Sequence, residues 1–219
     1  MVSYEAIKNS AEIKAYVRKG NDNLGVLGFT DHSTAHTTLV AERSATILRE
    51  FGYSERDIEL AKIAGYMHDI GNAVNRKQHA EYGALLADTI LRKVDMSDEE
   101  RIIVMSAIAH HDESTGGATD AVSAALIIGD KTDVRRNRVR EKDKTLFDIH
   151  DRVNYAVVGN HLVVDREERK ITLDLSVDEN ICTMYEYFDI FLERMLMSRN
   201  AAGLLGAKFS LKVNGSKIL

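Results

Sequence analysis

As far as Arg140 the sequence is a succession of segments that carry apolar residues at helical spacing between a capping residue and a stop. Such a chain buries its apolar faces as a bundle of helices. A first segment runs from about Tyr4 to Lys19 and stops at Gly20. Asp31 caps a second, through His36, Leu39, Val40, Ile47 and Leu48 to Gly52. Ser54 and Asp57 open a third, whose Ile58, Ala61, Ala64, Gly65 and Met67 lead to His68, Asp69 and Gly71 at its C-terminus. A fourth spans Gln78 to Val94, and a Ser97–Glu100 capping box opens a fifth through Ile102, Ile103, Met105 and Ile108 to His110. Asp120 caps a sixth, apolar to Ile128 and charged from Asp130 to Arg140. The chain contains no proline, so nothing forces a helix interior to break.

The period changes near Asp151. Val153 to Val164 and Ile171 to Val177 are β-branched runs separated by the charged turn Asp165 to Lys170, and Ile171, Leu173, Leu175 and Val177 alternate with polar residues. Asp178 then caps a helix with the stripe Ile181, Met184, Tyr185, Phe188, Phe191 and Met195, and Ala207 to Val213 reads as a last strand. The expected fold is therefore mainly α: a helical bundle over residues 1–150 with a small β-β-α-β appendage over residues 151–219.

Composition narrows the function. With 29 Lys and Arg against 34 Asp and Glu the formal charge is -5, which argues against a protein that coats DNA through overall attraction. Glu5, Lys8, Glu12 and Lys14 interrupt the first residues, so these do not form a signal peptide, and no run approaches the length of a membrane span. The expectation is a cytoplasmic protein that does not engage a membrane. Cys182, the single cysteine, lies on an apolar stretch and reads as a buried thiol.

Six of the eight histidines fall between His32 and His111, interleaved with helix ends, a placement that favours metal binding over surface polarity. Imidazole and carboxylate are the usual ligands of iron, manganese and zinc, and a carboxylate can bridge two ions. The neighbours His68 and Asp69, at a helix C-terminus, can point into one cleft with donors from other helices of the bundle. Asp112 and Asp133 either orient ligating histidines or stand in solvent.

In order and type these residues resemble the HD superfamily of metal-dependent phosphohydrolases. The resemblance runs from about residue 30 to 140: His36 in His-Thr-Thr-Leu-Val-Ala-Glu-Arg-Ser, the doublet in Met67-His68-Asp69-Ile70-Gly71, and the distant aspartate in Ile-Ile-Gly-Asp130-Lys131. It implies that His36, His68, Asp69 and Asp130 hold a first metal. His79, His110 and His111 match the further histidines of the two-metal branch, with Asp69 as the bridge. Two divalent ions are implied, iron or manganese ahead of zinc, magnesium or nickel. Within the superfamily, Asp130-Lys131-Thr132-Asp133-Val134-Arg135-Arg136 is similar to a signature of the bacterial hydrolases of dinucleoside tetraphosphates, and puts Lys131 and Arg136 near a phosphate. The cyclic-dinucleotide phosphodiesterases carry Gly-Tyr-Pro after their His-His pair, whereas this chain has Thr115-Gly116-Gly117.

On a continued helix Lys131, Arg135 and Arg138 share a stripe beside Asp130, suited to phosphate oxygens. His32, one turn before His36, is a further candidate for the substrate or the second ion. The expected chemistry is hydrolysis of a phosphoester or phosphoanhydride of a nucleotide, with Asp69 holding the nucleophile and Lys131 stabilising charge at phosphorus. A two-iron oxygenase and a non-catalytic nucleotide-binding module are the alternatives, and a homodimer is compatible with either.

Overall fold

The computed structural model describes residues 1–219. Most helices begin where a short polar side chain takes up a free backbone N–H. Ser3 and Ser10 cap α1 (Tyr4–Asn9) and α2 (Ala11–Val26), Ser33 caps α3 (Thr34–Glu50) and Ser54 caps α4 (Glu55–Met67). α5 (His79–Leu91) follows the left-handed residue Gln78, whereas α6 (Asp98–Ala109) and α7 (Ala121–Lys131) open on capping boxes at Ser97/Glu100 and Asp120/Ser123. Asp148 caps α8 (Ile149–Ala156), and Thr183 caps α9 (Met184–Leu204).

The strands β1 (Val157–Asp165), β2 (Lys170–Val177), β3 (Lys208–Val213) and β4 (Ser216–Lys217) form one sheet in that order. β1 and β2 are an antiparallel hairpin, α9 carries the chain to β3 parallel to β2, and the positive-φ pair Asn214–Gly215 turns it into β4. The mainly helical fold with a small C-terminal sheet is the expected one. A single apolar core of 51 residues extends from Val2 to Val213, so Tyr187, Phe191 and Met195 of α9 pack in the same interior as the bundle helices.

Several element boundaries differ from expectation for local reasons. The first segment breaks at Ser10, whose Oγ accepts from Ile13 N, and the second helix then runs through Gly20, where a Cβ would stand 3.2 Å from the backbone of Ala73. Ser33 rather than Asp31 caps α3; the Asp31 carboxylate accepts from the Ser33 hydroxyl at 2.6 Å. α7 stops at Lys131, because Asn160 Nδ2 of β1 donates to the carbonyls of Thr132 and Val134 at 2.8 Å each. There is consequently no helical stripe of Lys131, Arg135 and Arg138. Val153 lies in α8 rather than in a strand, because the Asp148 cap and the burial of Val153 and Ala156 outweigh β propensity. α9 starts at the Thr183–Glu186 capping box, while Asp178 caps only a turn at Asn180.

Gly65 and Gly71 set how closely the elements around the His68–Asp69 pair approach. A Cβ on Gly65 would lie 2.8 Å from Ala41 Cα in α3, and one on Gly71 only 1.9 Å from the His79 carbonyl. Gly71→Ala should therefore destabilise the protein by about 1–3 kcal/mol or more through forced repacking, whereas Gly117→Ala, with nothing within 4 Å, should change stability by less than about 0.5 kcal/mol. Denaturant midpoints of the two variants decide this; equal midpoints would contradict the packing argument.

Candidate metal centre

Helix ends supply the site. His36 comes from the first turn of α3, His68 and Asp69 follow α4, His79 opens α5, His111 follows α6, and Asp130 lies in the last turn of α7. All six are buried. Helix termini leave backbone groups free, and these fix the rings. His68 Nδ1 bonds the Gly65 carbonyl at 2.8 Å, His111 Nδ1 that of Ile108 at 2.7 Å, and His79 Nδ1 that of Arg76 at 3.2 Å. His36 Nδ1 instead bonds Asp133 Oδ2 at 2.7 Å. A carbonyl or carboxylate can only accept, so each Nδ1 carries the proton and each Nε2 of the neutral ring turns a lone pair inward.

The two central carboxylates are held in the same sense. Asp69 Oδ1 accepts from Asn72 Nδ2 at 2.8 Å, and Asp130 Oδ2 pairs with Lys131 Nζ at 2.8 Å. Their other oxygens face the rings: Asp69 Oδ2 lies 3.3 Å from His68 Nε2 and 3.7 Å from His36 Nε2, and Asp130 Oδ1 lies 3.4 Å from His36 Nε2 and 3.7 Å from His68 Nε2. The His36 and His68 Nε2 atoms are themselves 3.3 Å apart. Asp69 Oδ2 is buried without a hydrogen-bond partner. A buried pocket of acceptors with no donor is costly unless a cation or a proton enters it. The donor set of imidazole nitrogens and carboxylate oxygens suits a divalent transition ion. Donor atoms of His36, His68 and Asp130 lie within 4.8 Å of one another, as do those of His68, Asp69 and His111. His79 Nε2 stands 3.6 Å from Asp69 Oδ1 and 3.2 Å from His111 Nε2, so Asp69 presents one oxygen to each half of the cluster.

The electrostatics follow from this arrangement. Burial opposes the charged form of His68, but the Asp69 and Asp130 carboxylates outweigh it and raise its pKa. Burial, with His68 and His79 nearby, pushes His111 down to about 3, and burial likewise lowers His79 and His32. Burial alone would raise Asp69 and Asp130; the imidazoles around Asp69 and the Lys131 ammonium beside Asp130 hold both well below the usual range.

The remaining candidates are placed as follows. His32 Nε2 is 4.0 Å from Asp69 Oδ2, with Nδ1 on the Thr30 carbonyl. His110 stands outside both three-donor groups, its Nδ1 on the Ser106 carbonyl at 2.9 Å. Lys131 is buried between Asp130 and Glu113 Oε2, at 2.8 and 2.5 Å, and Glu113 in turn pairs with Arg194 of α9 at 3.1 Å. Arg135 pairs with Asp133, and Arg136 donates to the Tyr155 carbonyl with its guanidinium 4.3 Å from that ring, so neither reaches the cluster. Sequence reasoning missed Asn72, Glu113 and Arg194. Asn72 and Glu113 stand next to the motifs and were findable by proximity; Arg194 has no local signal.

Residues 34–156 match the HD domain. This chain belongs to the HD family. Over 199 residues the HD protein is 27% identical to an uncharacterized protein of Methanocaldococcus jannaschii, covering 80% of this chain and 75% of that one. It is 29% identical over 178 residues to ribonuclease Y of Staphylococcus epidermidis, covering 72% of this chain, and 35% identical over 102 residues to ribonuclease Y of Enterococcus faecalis, covering 41%. The matched regions are 32% and 18% of those two ribonucleases, so this HD protein corresponds to only a part of either. The crystal structure of a predicted HD superfamily hydrolase from an uncultured Thermotogales bacterium aligns with a TM-score of 0.45 at 24% identity, over 57% of this chain and 67% of that one. No helix of this HD protein is long and apolar enough to cross a membrane.

Two outcomes follow from the ring orientations. Asp133→Asn offers His36 Nδ1 a donor in place of an acceptor and so favours the tautomer protonated at Nε2; manganese affinity, read by calorimetric titration, should fall about 10–100-fold, and unchanged affinity would contradict the role of Asp133. In the metal-free protein His111, His79 and His32 have pKa values below the unfolded value of about 6.5. The stability they supply is fully present above that pH and is lost as pH falls toward the folded values, while the raised pKa of His68 contributes in the opposite sense. The denaturation midpoint should therefore drop between pH 7 and 5, less steeply in His111→Leu; a midpoint that rises over that interval would contradict the assignment.

Proposed function

We propose that this HD protein is a metal-dependent phosphohydrolase that cleaves a phosphoester or phosphoanhydride bond of a nucleotide, with two divalent ions as its cofactor. One observation carries the substrate class. A cavity of about 300 Å³ adjoins the metal centre, with His32 and Glu113 in its wall, and Arg76, Arg138 and Arg194 line it together with Phe29 and Phe191. Three guanidinium groups suit phosphate oxygens, and phenyl rings suit a planar base. The cavity is at the small end of the range for ligand sites and is large enough for a mononucleotide unit. The ribonuclease Y relatives, named for action on RNA, support a nucleotide phosphoester.

Two overlapping groups, His36, His68 and Asp130 and His68, Asp69 and His111, would hold the ions, with His79 Nε2 at 3.6 Å from Asp69 Oδ1 beside the second. Divalent ions held by such a set would lower the pKa of water into the neutral range and neutralise charge on phosphate oxygens. The chain's own groups do the rest. Arg194 and Arg76 orient the phosphate from the cavity wall, and neutral His32 presents its Nε2 lone pair beside Asp69, where it accepts a hydrogen bond from the attacking water. Lys131 acts from behind Asp130, fixing that carboxylate and Glu113, and through Glu113 the position of Arg194. The arginine lining favours a ligand that carries phosphate.

Phosphate release from a panel of nucleotides tests this reading with protein stripped of metal and then reloaded with manganese or iron. Asp69→Ala should lose both metal and at least about 10³-fold in rate, whereas Arg194→Ala should keep its metal and lose about 10–100-fold in kcat/KM. Equal rates for stripped and reloaded protein, or full activity in Arg194→Ala, would overturn it.

A further inference from the structure

The C-terminal sheet ends on two unlike edges. β4 is two residues long, and Lys217 in it stands opposite Lys212 of β3. A short edge flanked by like charges resists pairing with another chain. β1, at the other edge, has none of these devices: it is nine residues long, holds no lysine, arginine or proline, and carries its one carboxylate, Asp165, at the last position. It pairs with β2 alone, and the backbone groups on its outer side make no backbone hydrogen bond elsewhere in the chain. Such a row of free N–H and C=O groups is a template for another strand.

The two halves of β1 have complementary shapes. Asn160, Leu162 and Val164 stand opposite Leu175, Leu173 and Ile171 of β2, which are buried, yet as edge residues they are themselves only half-buried. On the solvent face Val163 is 54% exposed. The bulge between Val157 and Gly159 sets Val158, 56% exposed, beside Gly159, which has no side chain. A groove of about 320 Å³ runs along this first half, lined by Val158, Gly159 and Asn160 with Arg135 and Arg136 on its rim. Only Nε of the Arg136 guanidinium is engaged in a hydrogen bond, by the Tyr155 carbonyl. One end of the strand therefore presents a projecting valine and a carboxylate, and the other an apolar groove with a basic rim. Antiparallel pairing of two identical strands brings each end against its complement.

We infer that β1 is the seat of a two-fold homodimer, in which the β1 strands of two copies pair antiparallel about His161 and join two four-stranded sheets into one. Centring on His161 sets Gly159 opposite Val163 of the second copy, so that this valine fills the open face beside Val158. The same register sets Asp165 at the end where Arg136 of the second copy stands. Centres at Asn160 or Leu162 would instead put Val163 opposite the buried Val157 or the bulkier His161. One strand pair with its flanks is a small interface, so the dimer forms on the order of 10–100 µM and exchanges with monomer. The assignment is independent of the nucleotide reading above.

Sedimentation equilibrium of the full chain from about 1 µM to about 1 mM reads the association, with twice the chain mass expected at the upper end. Val163→Lys, at an exposed position, sets a charge into the groove beside Arg135 and Arg136 of the second copy. It should weaken association at least about 10-fold without lowering the unfolding midpoint of the monomer. A second variant tests the register. His161→Cys puts two thiols at directly paired positions, with about 4.5–5.5 Å between Cα atoms, and on oxidation should give a disulfide-linked dimer. Lys217→Cys on β4 should not, and the native Cys182 is buried. A chain that stays monomeric at about 1 mM, which leaves β1 to a different partner, would overturn the assignment. So would a dimer indifferent to Val163→Lys, or one that cross-links through position 217 in place of 161.

Discussion

A carboxylate oxygen buried among imidazole lone pairs has no partner that the chain itself supplies, and the bundle is arranged to hold that mismatch in place. Asp69 Oδ2 occupies this position, with Nε2 of His68 and His36 at 3.3 and 3.7 Å. Each surrounding ring is fixed from its far side, by the Gly65, Ile108 and Arg76 carbonyls or by Asp133. The inward electrostatics are thus a consequence of outward hydrogen bonds, and those bonds are available because helices end where these side chains stand. The close approach of Gly65 to α3 and of Gly71 to the start of α5 belongs to the same construction, since any side chain there would separate the ligand-bearing segments.

A second constraint ties the C-terminal region to this centre. Asp130, Lys131, Glu113 and Arg194 form a continuous alternation of charges from the candidate metal centre to the cavity wall. Breaking a buried pair of this kind leaves an uncompensated charge, which costs more than the pair contributes. α9 therefore does more than cover the bundle: it delivers the Arg194 guanidinium to the cavity, and α8 lines the same cavity. The sheet that follows α8 shares the apolar core with the bundle and holds both helices in register with the site.

Much of this was legible in the sequence. Local signals predicted the Ser97, Ser54 and Asp120 caps, the β1–β2 hairpin and the His/Asp order, because capping chemistry, alternation and motif spacing are each written in a few adjacent residues. What failed was decided at a distance. The basic segment after Lys131 was expected to continue as a helix, and it ends because Asn160, far along the chain, captures the carbonyls of Thr132 and Val134. Arg135 and Arg136 were expected at the phosphate and are engaged by Asp133 and Tyr155 instead. His110 was grouped with His111, yet the turn at the end of α6 points only the second ring into the cluster. Asp133, expected to orient a ligating histidine, does contact His36, whereas Arg194 gave no signal at all.

The inward acceptors are arranged to hold a cation through Nε2 and not Nδ1. Anomalous diffraction from crystals grown with manganese, recorded above the manganese absorption edge, addresses it directly. A strong peak is expected between His36 Nε2, His68 Nε2, Asp130 Oδ1 and Asp69 Oδ2, at metal–ligand distances of about 2.0–2.3 Å for a transition ion. A map without a peak in that pocket, or with the ion bound through Nδ1 atoms after the rings have turned, would contradict it.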